Sequence, residues 1–144
     1  MRAYGGGRVT SAGSTTAPAG GLYAIASRPL YLREVGIFNT TTTATSVALY
    51  RASTLGTTSA NFTARSEDSE IAPVGVLVND WSADPTITAG PFMQGSLGAA
   101  IGAGIIWTFG GEGLRIPAGT ANGIVLAVPV GTGQIWDCYF AWDE

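Results

Sequence analysis

The 144-residue chain has no histidine and no lysine, a single cysteine, and only 12% charged residues. Without histidine there is no Ser-His-Asp or Cys-His pair and no His-ligated zinc. Without lysine there is no Schiff base and no phosphate-loop lysine. The lone Cys138 excludes an internal disulfide, and with it a small scaffold held by bridges; it reads as a small apolar core residue. All seven basic residues are arginine, they form no cluster, and the net charge is −3, which argues against binding nucleic acid through its phosphates. The longest apolar run, Leu97 to Phe109, is 13 residues, short of the roughly 20 that span a bilayer. It reads as a buried strand, with Ile101 to Phe109 as a continuous central one. The single cysteine suits synthesis in a reducing interior, and residues 1–7 lack the apolar stretch of a secretory signal, so export by that route is not expected.

What remains is rich in strand and turn formers: 21 glycines and 17 threonines in a chain of one-domain length. Residues 3–21 are Ala, Gly, Ser, Thr and Pro apart from Tyr4, Arg8 and Val9, too little apolar surface to offset ordering of the chain. Residues 1–21 therefore read as a flexible or extended N-terminal arm, removable without loss of fold, with Tyr4 and Arg8 as candidate partner contacts. Residues 22–144 read as one domain.

From Leu22 short apolar runs alternate with turn residues every 8–15 positions, and no helical period is sustained. Leu30 to Phe38 and Thr45 to Arg51 flank a polar segment, 39–44, and read as a hairpin. Residues 52–84 read as a long excursion with one or two strands, and Thr86 to Ala89 as an edge strand. In the last third Leu114 to Ile116, Ile124 to Val130 and Gln134 to Trp142 read as strands. The two-residue period there places Trp136, Cys138, Phe140 and Trp142 on the buried face. About eight strands without a helix predict an all-β antiparallel sandwich, jelly-roll-like in its wrapping.

Carboxylates are the remaining catalytic groups, and Glu34, Glu112 and Asp137 are the ones to weigh for a two-carboxylate hydrolase. Glu34 reads instead as the partner of an arginine on an adjacent strand, and Glu112 as a solvated residue of a Gly-rich turn. The run Glu67-Asp68-Ser69-Glu70 matches no calcium-loop spacing and reads as a solvated acidic loop. Trp81, between Asp80 and Ser82 in a polar stretch, is a candidate partner contact. No catalytic, cofactor or metal residue is assigned.

Several segments resemble one group of proteins. Leu32-Arg33-Glu34-Val35-Gly36-Ile37-Phe38-Asn39-Thr40-Thr41 with Val47-Ala48-Leu49-Tyr50-Arg51, Ile106-Trp107-Thr108-Phe109-Gly110, Leu114-Arg115-Ile116-Pro117-Ala118-Gly119-Thr120-Ala121-Asn122-Gly123 and the closing Phe140-Ala141-Trp142-Asp143-Glu144 resemble small β-rich virion structural proteins of tailed bacteriophages. The resemblance implies a non-enzymatic capsid decoration (cement) protein. It would be made in the bacterial cytoplasm and bound to the major capsid protein as a homotrimer, without nucleic acid, membrane or cofactor. It equally allows a tail-fibre or baseplate module that binds host glycan, with Trp81 and the loops of 52–96 as the contact.

Overall fold

Runs of β-branched and aromatic residues broken by Gly, Pro and Asn favour extended backbone. Accordingly, the computed structural model, which describes residues 3–10, 12–68 and 71–144, contains strands and no helix among them. No described helix is thus long and apolar enough to cross a membrane. The strands are β1 (Ala3–Val9), β2 (Gly20–Tyr23), β3 (Leu30–Asn39), β4 (Thr45–Ala52), β5 (Thr57–Asn61), β6 (Arg65–Ser66), β7 (Val76–Ala83), β8 (Met93–Leu97), β9 (Gly104–Thr108), β10 (Leu114–Ile116), β11 (Gly123–Ala127) and β12 (Trp136–Asp143).

Two antiparallel six-stranded sheets pack face to face as a β-sandwich. The first has the order β10-β3-β12-β1-β6, with β9 beside a further stretch of β3; the second has the order β5-β7-β2-β11-β4-β8. Between them lies one core containing Tyr4, Leu22, Leu30, Leu32, Val35, Ile37, Val47, Leu49, Ile124, Leu126, Trp136, Phe140 and Trp142. Burial of each large side chain contributes about 1.5–3 kcal/mol. The alternation expected in β12 is present: Trp136, Cys138, Phe140 and Trp142 are buried, while Asp137 is exposed.

A second apolar cluster, Tyr23, Ala52, Val78, Trp81 and Val125, lies on the outer side of the second sheet. Tyr50, Leu55, Val76 and Ile87 pack against it. This explains why β4 and β11 are apolar on both faces.

Four expectations are corrected. Residues 3–9, expected in an arm, form a strand between β12 and β6, in register from Ala3↔Asp143 to Val9↔Asp137. Backbone pairing and one large side chain, Tyr4, take the place of an apolar pattern there. Strands β3 and β4 are not a hairpin: they belong to opposite sheets, and 40–44 crosses between them. The run 97–109 is not one central strand. Residues 98–103 turn, with Gly102 at φ +86°, and β9 pairs with β3 alone at the sheet margin. Finally, Thr86 to Ala89 is not a continuous strand: it makes the isolated bridge Ala52↔Ile87 and follows the edge of β4, where Ser53 N–H donates to the Thr86 carbonyl at 3.0 Å and Thr88 N–H to that of Arg51 at 2.9 Å.

Candidate functional site

Tyr4, proposed as a contact, is 1% exposed, and its ring stacks on Trp142 at 6.1 Å and 27°. Trp81 is 8% exposed and donates its indole N–H to the Leu55 carbonyl at 2.9 Å. The segment after β4 folds over it, so its polar sequence neighbours misrepresent its surroundings. Neither side chain offers much surface to a partner. The backbone of Arg8 lies opposite Cys138 in β1, and its side chain lies outside the described residues.

Among the described residues Glu34 meets no arginine; it accepts a hydrogen bond from the Tyr139 hydroxyl at 2.5 Å across the β3–β12 ladder. Arg33 instead meets Glu67 at 2.7 Å and Asp143 at 3.3 Å. Asp68 accepts from the Ser66 hydroxyl; Ser69 and Glu70 lie outside the described residues. Among the described residues no three ligating side chains converge. Glu34 and Asp137 share the outer face of the first sheet but lie four residues apart along it, about 13 Å between their backbones.

Burial, the hydrogen bond to Glu34 and the charge of that carboxylate push the Tyr139 pKa up to about 12. The folded state thus holds this proton more tightly than the unfolded chain, whose tyrosines titrate near 10. The stabilisation is complete below pH 10 and is lost as pH rises from 10 through 12. In an ultraviolet absorbance titration, Glu34→Gln is expected to move this transition downward while leaving the part caused by burial.

The second feature is one end of the sandwich. Four connections cross between the sheets there: 10–19 from β1 to β2, 40–44 from β3 to β4, 98–103 from β8 to β9, and 128–135 from β11 to β12. They hydrogen-bond one another in sequence. Gly133 N–H donates to the Gly13 carbonyl at 3.0 Å, and Val128 N–H to that of Ser14 at 3.2 Å. Thr40 Oγ1 donates to the Ile135 carbonyl at 2.6 Å, and Gly102 N–H to that of Asn39 at 2.7 Å.

Asn39, buried at 1% exposure, holds the junction. Its Nδ2 donates to the carbonyls of Thr43 (2.7 Å) and Gly98 (3.0 Å), and its Oδ1 accepts from Thr41 N–H (3.0 Å). None of the four crossovers contains a charged residue. Yet Ile101 is 73% exposed, Val130 72% and Ile135 43%. Composition does not single out these three: Ile101 and Val130 sit among Ala, Gly and Pro in ordinary turn sequence, and Ile135, between Gln134 and Trp136, reads as part of a strand; only the convergence of four turns makes them one surface.

The opposite end carries charge. Arg51 and Arg115 line an open hollow of about 370 Å³ with Ala52, Pro117, Asn122 and Gly123. There Arg51 donates to the Arg115 carbonyl at 3.0 Å and lies 5.9 Å over the Phe92 ring. Two further hollows, of about 380 and 290 Å³, lie over the second sheet and beside Phe62, and none of the three is lined by a carboxylate. Comparison with protein-family models, with curated proteins and with solved structures finds no match to this chain.

Proposed function

We propose that the chain is a non-enzymatic virion structural protein, a decoration protein that docks on the shell of a tailed-phage head through its crossover end. The observation that carries this is the uncharged surface formed by 10–19, 40–44, 98–103 and 128–135, with Ile101, Val130 and Ile135 standing out from it. Docking such a surface desolvates no ion, and exposed aliphatic side chains gathered at one end have a partner to gain from. The hydrogen bonds joining the four loops hold the surface in one shape before contact, which lowers the ordering cost of association.

We read the strand order β1-β12-β3-β9 facing β2-β11-β4-β8 as a jelly-roll wrapping, and this reading supports the same choice, since that architecture builds viral shells. It also builds lectins, so the end surface and not the fold decides. The docked species in this proposal is a homotrimer on the major capsid protein, assembled in the bacterial cytoplasm.

The test is co-sedimentation of the purified protein with undecorated shells. Ile101→Asp combined with Val130→Asp is expected to weaken attachment by about a hundredfold, as loss of a central contact does, while the thermal midpoint stays near that of the unaltered protein. Undiminished attachment of the folded double variant, or immunogold label confined to tails, overturns the proposal.

A further inference from the structure

The outer face of the first sheet carries an arrangement that docking through the crossover end leaves unused. Register aligns three rows across β9, β3, β12 and β1. Gly104, Phe38 and Asp137 form one; Ile106, Gly36, Tyr139 and Gly7 the next; Thr108, Glu34, Ala141 and Gly5 the third. The glycines let two rings lie down. A Cβ on Gly36 would collide with the Tyr139 ring, and one on Gly104 with the Phe38 ring. Each ring therefore covers the backbone of the neighbouring strand, both leaning toward β9.

The two rings sit 6.5 Å apart with planes 22° from parallel. Beside them Ile106 is 52% exposed. Covering glycine backbone accounts for the inner side of each ring. It does not account for the carboxylates that bracket the pair: Glu34, already holding the Tyr139 hydroxyl, and the exposed Asp137, about 13 Å farther along the sheet.

The chemistry of the three rows narrows the occupant. They carry two carboxylates and no cation, so phosphate-bearing ligands are repelled. A second copy packed about a two-fold axis would bring carboxylates against carboxylates. A hydrophobic protein surface would have to desolvate both acids without compensation. A neutral sugar chain fits all of it: its C–H faces lie on the rings, and its hydroxyls donate to the carboxylates, which only accept. The distance from Glu34 to Asp137 exceeds one sugar ring, which favours a chain over a monosaccharide.

We propose that the Phe38–Tyr139 shelf, bracketed by Glu34 and Asp137, is a binding site for a neutral oligosaccharide, on a face separate from the crossover end. The surface that binds sugar is thus the first sheet, not Trp81.

The experiment is isothermal titration of the full chain with millimolar cellohexaose, maltohexaose, mannohexaose and chitohexaose, with polygalacturonate as an acidic comparison. At least one neutral chain is expected to bind. Phe38→Ala should weaken that binding about tenfold, as loss of one ring contact does. Asp137→Asn, an exposed change that leaves the fold intact, should weaken it several-fold and is decisive if Phe38→Ala fails to fold. The proposal is overturned if none of the four binds, if Asp137→Asn leaves binding unchanged, or if polygalacturonate binds as well as the neutral chains.

Discussion

Deletion of residues 1–10 is expected to leave the chain unfolded at room temperature. β1 lies between β12 and β6, and its loss would strip one side of β12 along its length. It would also uncover Trp142, on which Tyr4 stacks, and the flank of Leu77 against which Gly6 is seated. Removing an aromatic side chain as buried as Tyr4 costs about 3–5 kcal/mol. The ladder hydrogen bonds, at about 1 kcal/mol each, bring the loss to the size of a whole domain's stability, about 5–15 kcal/mol. Circular dichroism of the truncated chain should show no cooperative melt. Tyr4→Ala in the full chain should still fold, with its urea midpoint lowered and its slope unchanged. A truncated chain that melts like the full one would show that the first strand is dispensable.

Asn39→Ala is expected to destabilise the fold by about 3–5 kcal/mol, an unusually large effect for a residue at the end of a strand. The substitution leaves the carbonyls of Thr43 and Gly98 and the N–H of Thr41 without their present partner, at about 1–3 kcal/mol for each group that water cannot reach. Asn39→Asp should be worse above the carboxylate range. It keeps the acceptor facing Thr41 but loses both donors and places a negative charge against two carbonyl oxygens. Urea unfolding as a function of pH separates the two variants: the Ala variant should follow the parent's profile, while the Asp variant should lose stability as pH rises through the aspartate pKa. A loss below about 1 kcal/mol for Asn39→Ala would mean that the crossovers hold together without this junction.

The β12 strand is legible in the sequence because its inward positions are all apolar, three of them large aromatics, while two of the outward ones are aspartates. Its buried face, Trp136 to Trp142, could be read directly. β1 was illegible for the opposite reason: Gly5, Gly6 and Gly7 have no side chains to alternate, and the strand is specified by the close approach that glycine allows. The 39–44 segment looked like a turn and is one, but polar turn residues do not say whether the strands they join are paired or stacked. That distinction lies in Asn39, whose partner Gly98 is 59 residues away. Trp81 reads as exposed because its neighbours in sequence are polar. Its cover, Leu55 and the segment after β4, is tertiary, and the irregular β5–β7 register removes the simple two-residue period that would have shown which way it points. The shelf on the first sheet was hidden likewise, since Phe38 and Tyr139 are 101 positions apart and meet only through the ladder.

The pairing of β1 with β12 also fixes an order of events during synthesis. β1 has its main partner in a strand more than 130 residues downstream: Tyr4 pairs with Trp142, and Ala3 with Asp143. At about 5–20 residues per second, β1 waits on the order of ten seconds for that partner. Its glycine-rich composition suits that wait, because a strand so poor in apolar side chains is a weak seed for association between nascent chains, whereas an equally early Val/Ile-rich strand would be a strong one. The sheet closes only when β12 emerges, so a polysome carries unfinished chains whose waiting strand is a poor template for one another.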